Sequence, residues 1–306
     1  MFAVAPLEAL VRAAHEVSLV VTQPDRPKGR GMEVALSPVK VKAIELGLPV
    51  VQPEKIKNNL EFRAQLEALA AECIVIVGYG RIIPRWMLDL PAQGNINLHA
   101  SLLPKYRGAA PIQWAIASGE TVTGNTTMRI DEGLDTGEML LQREMEIRPE
   151  DTSVTLAPRL SAMGAELLVE TLQGIGEGRL QGTPQDHSRA TLAPILTRED
   201  GHIDFARDTA QTICNRYRGF QPWPGTYTAF RGKQLTLHAL HAISASDGMR
   251  VLMAGEIAAA GEQLLVGCGE GTAIAVDELQ MEGKRRMSAR EFVNGYQPKA
   301  GERLGD

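Results

Sequence analysis

The stretch Ile74-Val-Ile-Val77 indicates the fold class of this 306-residue chain. Its four consecutive branched apolar side chains leave no polar face, which is typical of a strand buried on both faces of a parallel sheet. Parallel neighbours need a crossover connection, which is usually a helix. The run therefore predicts an α/β architecture, with helices before and after it along the chain.

Helix and strand patterns alternate outward from this run. Apolar side chains at helical spacing, such as Phe62, Leu66 and Leu69, precede it, and a further strand is expected at residues 96–98. The alternation predicts a doubly wound, mostly parallel, Rossmann-like sheet in a catalytic domain over residues 1–178. The other expected strands are 18–22, 49–52 and 126–130, and the other expected helices are 7–14, 38–47, 111–118 and 153–173.

The pattern changes in the C-terminal part of the chain. Residues 179–199 are polar and show no clear period, which predicts a linker. Beyond residue 200, short apolar runs separated by glycine favour a second domain over residues 200–306. Such runs suit a small β-barrel, and an open antiparallel sheet is the alternative.

Composition excludes several classes of protein. With 44% hydrophobic and 23% charged residues, the chain has the values of a soluble globular protein. No apolar run reaches the roughly 18–20 residues of a membrane span, and no secretory signal is visible at the N-terminus. Three scattered cysteines without metal spacing predict reduced thiols in a cytoplasmic protein and no metal site.

The net charge of −5 argues against non-specific coating of nucleic acid but leaves room for one basic face. Residues 23–57 hold seven Lys or Arg against four acidic residues, a local excess of three positive charges. This excess suits a phosphate backbone, and a solvated lysine-rich surface is the alternative.

The densest group of reactive side chains lies in Gly94-Asn-Ile-Asn-Leu-His-Ala-Ser-Leu-Leu-Pro-Lys-Tyr-Arg-Gly108. Asn97 and His99 are two apart on the predicted strand, so both side chains point to one face. They stand at the strand end, where ligands bind in open α/β sheets. An amide and an imidazole there can stabilise a developing oxyanion, although a lone histidine is often a satisfied core residue.

A second polar loop, Asp131-Glu-Gly-Leu-Asp-Thr-Gly137, also follows a predicted strand. A carboxylate beside His99 would orient the imidazole and help to relay protons. The pattern alone does not choose between Asp131 and Asp135, and either side chain can instead cap a turn.

Together the two segments resemble the catalytic signature of folate-dependent formyltransferases. The resemblance implies that Asn97, His99 and Asp135 act on the formyl carbon, while Asp131 falls outside the catalytic position. It also implies 10-formyltetrahydrofolate as co-substrate. The segment that corresponds to the family's folate contacts is Ser101, Leu102, Leu103 and Pro104.

Further segments are similar to the methionyl-tRNA formyltransferases within that superfamily. The stretch Gln23-Pro-Asp-Arg-Pro-Lys-Gly-Arg-Gly31 resembles their basic loop that contacts initiator tRNA, with Arg30 at its principal arginine. Residues 218–225 and 283–295 resemble their tRNA-binding domain. The resemblance implies a cytoplasmic monomer that formylates the α-amine of methionyl-initiator tRNA by direct acyl transfer. The alternatives are a sugar-nucleotide acceptor, hydrolysis that releases formate, or binding of tRNA or folate without turnover.

The N-terminal end of the sequence lacks a strand pattern before its first helix pattern. Its first helix pattern starts near Pro6, whereas a βαβ unit needs a parallel strand before that helix. The family begins with such a strand, ahead of a segment like Phe2-Ala-Val4. We therefore expect the first strand of the domain to be missing from this sequence and Met1 to be an internal methionine.

Overall fold

The computed structural model describes residues 2–28, 33–243, 251–260, 263–299 and 301–305. The chain divides into two compact units. The first comprises Met1–Ile112, Val122–Ile147 and Thr155–Pro194, and the second comprises Gln113–Thr121, Arg148–Val154 and Ile195–Asp306. None of the described helices is long and apolar enough to cross a membrane.

Helices and strands alternate through the first 176 residues, as the sequence predicts. The helices are α1 (Val4–Arg12), α2 (Pro38–Glu45), α3 (Leu60–Leu69), α4 (Arg85–Leu88), α5 (Pro111–Ala117) and α6 (Ser153–Gly176). The strands are β1 (Val20–Val21), β2 (Arg26–Lys28), β3 (Glu33–Ala35), β4 (Val50–Val51), β5 (Ile74–Ile76), β6 (Asn95–His99), β7 (Val122–Arg129) and β8 (Met139–Glu146).

The sheet pairing confirms the α/β class, and it is more mixed than predicted. Strands β1 and β4 pair in parallel, as do β5 and β6, and each pair is connected through a helix. In the four-stranded sheet of order β5-β6-β7-β8, however, the β6–β7 and β7–β8 pairs are antiparallel. The short loop between β7 and β8 permits a hairpin and is too short for a crossover connection. Strand β8 is an element that the sequence analysis missed.

Helix α6 packs on the strand that carries the predicted catalytic pair. Ile96 of β6 and Leu168 of α6 are fully buried in one cluster. A Cβ at Gly164 would lie 2.9 Å from Leu98 Cδ2, so glycine at this position allows the helix to approach the sheet closely. The buried Ile96 and Leu98 therefore fix one face of β6, and Asn97 and His99 point to the other face.

The segment before α2, part of which resembles the family's basic loop, contains the antiparallel hairpin β2–β3. Polar contacts hold the approach to this hairpin. The Lys40 ammonium pairs with the Asp25 carboxylate, and Gln52 Nε2 donates to Asp25 Oδ1 at 2.9 Å. Hydrogen bonds from Lys40 and then Gln52 hold the pKa of Asp25 below its usual range.

The second unit contains an antiparallel sheet. Its elements are α7 (Ala210–Gly219), β9 (Thr226–Phe230), β10 (Lys233–Ile243), β11 (Ile257–Ala260), β12 (Gln263–Gly267), β13 (Ala273–Met281), β14 (Met287–Ser288) and α8 (Ala289–Tyr296). The sheet order is β11-β12-β13-β10-β9, with β14 also paired to β13. The rings of Phe230 and Phe292 meet edge to face in its core, with centroids 5.1 Å apart.

This sheet corrects the prediction of a barrel. Closure requires hydrogen bonds between the two end strands. Within the described residues, β11 and β9 are not paired with each other, so the observed form is the open antiparallel sheet.

The segment predicted as a linker, residues 179–199, is hydrogen-bonded over part of its length to the stretch after β6. Arg107 N donates to Thr191 O at 2.9 Å, and Ala193 N donates to Arg107 O at 2.7 Å. This segment belongs to the first unit as far as Pro194.

Candidate active site

The candidate site lies at the end of β6, on the polar face of that strand. Asn97 is half-buried there, and the His99 side chain is only 6% exposed. The loop between β7 and β8 carries Asp135 to the same place, where its side chain is 18% exposed. The structure thus brings together the three residues that the sequence resemblance implied.

The peptide main chain orients the His99 ring. Its Nε2 atom lies 2.8 Å from Tyr106 O. Because a carbonyl oxygen only accepts, Nε2 carries the hydrogen of this bond. Nδ1 then faces Asp135, with 3.7 Å between Nδ1 and Oδ2. A carboxylate was expected to orient the ring, whereas the direct hydrogen bond goes to the carbonyl of Tyr106.

The Asp135 carboxylate is held by two donors. Gly108 N donates to Oδ2 at 2.8 Å, and Asn97 Nδ2 donates to Oδ1 at 3.4 Å. Asp135 itself has a φ of +51°, which few residues other than glycine adopt. An amide, an imidazole and a carboxylate thus converge at one strand end, a set able to stabilise an oxyanion and move a proton.

Asp131 has a different environment, although it lies in the same loop. Its side chain is exposed, and Oδ1 accepts from Gly133 N at 3.0 Å and from Thr136 Oγ1 at 2.7 Å. This is the capping arrangement of a turn. No contact joins Asp131 to His99 among the described side chains.

The predicted folate segment, Ser101 to Pro104, is partly internal. The Ser101 side chain is fully buried, and its Oγ donates to Lys105 O at 2.6 Å. Thr126 Oγ1 donates to Ser101 O and accepts from Leu103 N, which ties this turn to β7. Leu103 is buried, whereas Leu102 and Pro104 are half-buried, so these last two side chains are the ones available to a ligand.

Arg30, the residue predicted to contact tRNA, lies outside the described residues. Within the described ranges, no group of three or more His, Cys, Asp or Glu side chains is arranged to hold a metal ion.

Two buried polar residues that support the Asp135 loop were not predicted from the sequence. Gln185 lies in the segment predicted to be a linker, and Arg107 is the penultimate residue of the 94–108 stretch. Nothing in the local pattern of Gln185 signals a role, because its partners lie 48 to 78 residues away along the chain.

Two family models match this chain. The formyl transferase model matches residues 2–172, and the model of the formyl transferase C-terminal domain matches residues 195–297. The chain belongs to the formyl transferase family. Within it, similar relatives are the methionyl-tRNA formyltransferase of Koribacter versatilis, 64% identical over 99% of this chain and 96% of its own, and that of Acidobacterium capsulatum, 61% identical with the same coverage.

Two solved structures share the fold. An N-formyltransferase from Helicobacter canadensis, in complex with folinic acid and dTDP-3-aminofucose, has a TM-score of 0.64 and 19% identity. The match covers 92% of this chain and 96% of that one. HypX from Aquifex aeolicus, in complex with tetrahydrofolic acid, has a TM-score of 0.57 and 18% identity, with 84% of this chain and 44% of HypX covered. At these identities the likeness concerns the fold alone.

Proposed function

We propose that this formyl transferase moves the formyl group of 10-formyltetrahydrofolate to the α-amine of methionyl-initiator tRNA. The observation that carries the chemistry is the convergence of Asn97, His99 and Asp135 at the end of β6. The acceptor is inferred from the methionyl-tRNA formyltransferases that are 61–64% identical over nearly the whole chain. The sugar-modifying relatives with solved structures are only 18–19% identical.

The reaction is a direct acyl transfer between two nitrogens. The neutral α-amine attacks the formyl carbon and forms a new C–N bond, and the bond from that carbon to the folate nitrogen breaks. The attacking nitrogen becomes positively charged when the bond forms and then loses one proton, and the departing folate nitrogen takes one up. The residues of the site stabilise the negative charge that develops on the formyl oxygen and move this proton.

Asn97 supplies an oxyanion donor. One amide hydrogen points to Asp135 Oδ1, and the second has no partner within the described residues. That second hydrogen is free to donate to the formyl oxygen. Loss of one such donor typically lowers the rate by about 100–1000-fold.

His99 and Asp135 handle the proton. Because Nε2 of His99 is engaged by Tyr106 O, Nδ1 is the ring nitrogen available to the reacting groups. Asp135 Oδ2 lies 3.7 Å from Nδ1, and a proton carried at Nδ1 would be donated to the oxyanion. Asp135 receives the ammonium proton and passes it to the folate nitrogen.

The folate contact is proposed for Ser101, Leu102, Leu103 and Pro104. The half-buried, apolar side chains of Leu102 and Pro104 suit the flat ring system of a folate, and the buried Ser101 and Leu103 support the turn. Arg30 is proposed to contact the tRNA. We also propose that the protein acts as a monomer in the cytoplasm, where initiator tRNA is charged.

The test incubates purified protein with 10-formyltetrahydrofolate and methionyl-initiator tRNA and measures formylmethionine. Rapid appearance of formylmethionyl-tRNA is the expected result. Formate released without any acceptor would instead indicate a hydrolase. Transfer to the amine of an aminosugar nucleotide, with methionyl-tRNA left unmodified, would indicate the other acceptor class.

A further inference from the structure

Arg107 and Gln185 form a buried polar pair behind the Asp135 loop. Arg107 is 6% exposed and Gln185 is 5% exposed. No carboxylate pairs with Arg107 within the described residues. Its guanidinium instead donates to Gln185 Oε1 from Nε at 3.1 Å and from Nη2 at 2.7 Å, and Nη2 also lies 3.1 Å from His187 Nδ1. A buried cation whose main partner is a neutral amide is an uncommon arrangement, since burial of a charge normally requires an opposite charge.

The Gln185 amide is saturated by its partners. Nε2 donates to Asp135 O at 2.9 Å and to Gly137 O at 2.8 Å, while Oε1 accepts both bonds from Arg107. An arginine only donates and a carbonyl oxygen only accepts, so these neighbours allow only one orientation of the amide. Every hydrogen-bonding position of the side chain is therefore used.

These bonds close a ring through Asp135. The guanidinium of Arg107 holds Gln185, Gln185 holds the carbonyl of Asp135, and the amide next to Arg107, that of Gly108, donates to Asp135 Oδ2 at 2.8 Å. Both the main chain and the carboxylate of Asp135 are thus fixed from one side. Asp135 has a φ of +51°, a backbone conformation that is unfavourable for residues other than glycine. Contacts from the surrounding residues are therefore needed to hold it.

We propose that Arg107 and Gln185 are positioning residues that hold the Asp135 carboxylate against Asn97 and His99 during formyl transfer. The inference rests on the catalytic role proposed for Asp135. The pair touches no reacting atom and acts only through the Asp135 loop. A displacement of about 1 Å at a catalytic group lowers a rate by about 100-fold, so the geometry of this loop governs turnover.

The first test substitutes Gln185→Glu. The new carboxylate still satisfies Arg107, but its oxygens cannot donate to Asp135 O and Gly137 O and repel them. We expect kcat to fall by about 10- to 100-fold, with KM for folate and for tRNA within about twofold of wild type. Gln65→Glu, on the exposed face of α3, introduces the same charge and is the matched control with unchanged kcat.

A double-mutant cycle separates positioning from a general structural effect. In an Asp135→Asn background, measured in single turnover, Gln185→Glu should change the rate by less than about twofold, because the group that it positions is already lost. Arg107→Lys keeps the cation but loses the two-point bond, and it should show the same pattern with a smaller effect. If Gln185→Glu does not fold, as judged by circular dichroism, the Arg107→Lys cycle carries the test.

The outcomes are distinct. Equal rate losses from Gln185→Glu in both backgrounds would overturn the inference, as would a rise in KM at unchanged kcat, while the role of Asp135 would stand. Wild-type turnover by Asp135→Asn would overturn both that role and the inference. A wild-type chain without formyl transfer would overturn the proposed function itself.

Discussion

Asp135 Oδ2 lies 3.7 Å from His99 Nδ1, although 36 residues separate the two along the chain. Four residues earlier, Asp131 turns its carboxylate to its own loop and bonds Gly133 and Thr136. Two aspartates in one loop thus have different surroundings, one inside a convergent polar site and one capping an exposed turn. We therefore expect Asp135 to contribute much more to turnover than Asp131.

Asp135→Asn should keep the fold and substrate binding and lower turnover by at least about 100-fold, because a proton relay and its charge are lost. Asp131→Asn, the matched control in the same loop, should have a much smaller effect. Steady-state formylation kinetics and melting temperatures of both variants check this. Similar losses in the two variants, or a greater loss for Asp131→Asn, would contradict the assignment.

Arg30→Ala should weaken the productive use of tRNA and leave folate binding unchanged. A bidentate contact from an arginine to phosphate or a base edge contributes about 1–3 kcal/mol. The variant should also respond less steeply to added salt, because one phosphate contact is gone. The measurement is kcat/KM for methionyl-tRNA at several salt concentrations.

Arg12→Ala, at the exposed end of α1, removes the same charge elsewhere and serves as the control for Arg30→Ala. Unchanged formylation by Arg30→Ala at limiting tRNA would show that the basic loop is ordinary solvated surface.

The three cysteines should be unreactive in the native protein. Burial raises the pKa of Cys73 to about 11 and that of Cys268 to about 12, and it also raises the pKa of Cys214. Since the thiolate is the reactive form and a raised pKa keeps the thiol protonated, few thiolates exist at pH 8. A chromogenic disulfide reagent should label all three cysteines when the chain is unfolded in guanidinium. It should label none of them quickly in native buffer. Rapid labelling of the folded chain would contradict the prediction.

Gly137→Ala should both destabilise the protein and lower turnover. A Cβ at this position would lie 1.9 Å from Arg129 O, so the main chain of the β7–β8 hairpin must shift beside Asp135. Gly176→Ala is the control, because its Cβ would meet nothing within 4 Å and alanine favours a helix end. Melting temperature and kcat measure the effect. A Gly137→Ala variant as stable and active as Gly176→Ala would show that the hairpin adapts freely.

The α/β part of the fold was predictable because its signals are local. The β-branched run at residues 74–77 marked β5, the apolar side chains of Ile96 and Leu98 marked β6, and helical periodicity marked α6, each to within a few residues. Strand β8 was missed because polar and charged residues occupy its exposed positions and interrupt any apolar run. Such residues suit a strand at the edge of the sheet. The open edge of the C-terminal sheet was not predictable, since closure depends on pairing between strands far apart in sequence.

The sequence by itself determined the chemistry available at the candidate site. A two-residue spacing on a strand places Asn97 and His99 on one face whatever surrounds them, because side chains alternate along a strand. The resemblance to folate-dependent formyltransferases then singled out Asp135 from the same residues.

Only the tertiary structure decided how these groups are held. The carbonyl of Tyr106 orients His99, and the buried pair of Arg107 and Gln185 secures the loop of Asp135. No local sequence pattern indicates that the residues in each of these contacts lie close together. A hydrogen bond depends on distance and direction in space, and only the folded chain sets both.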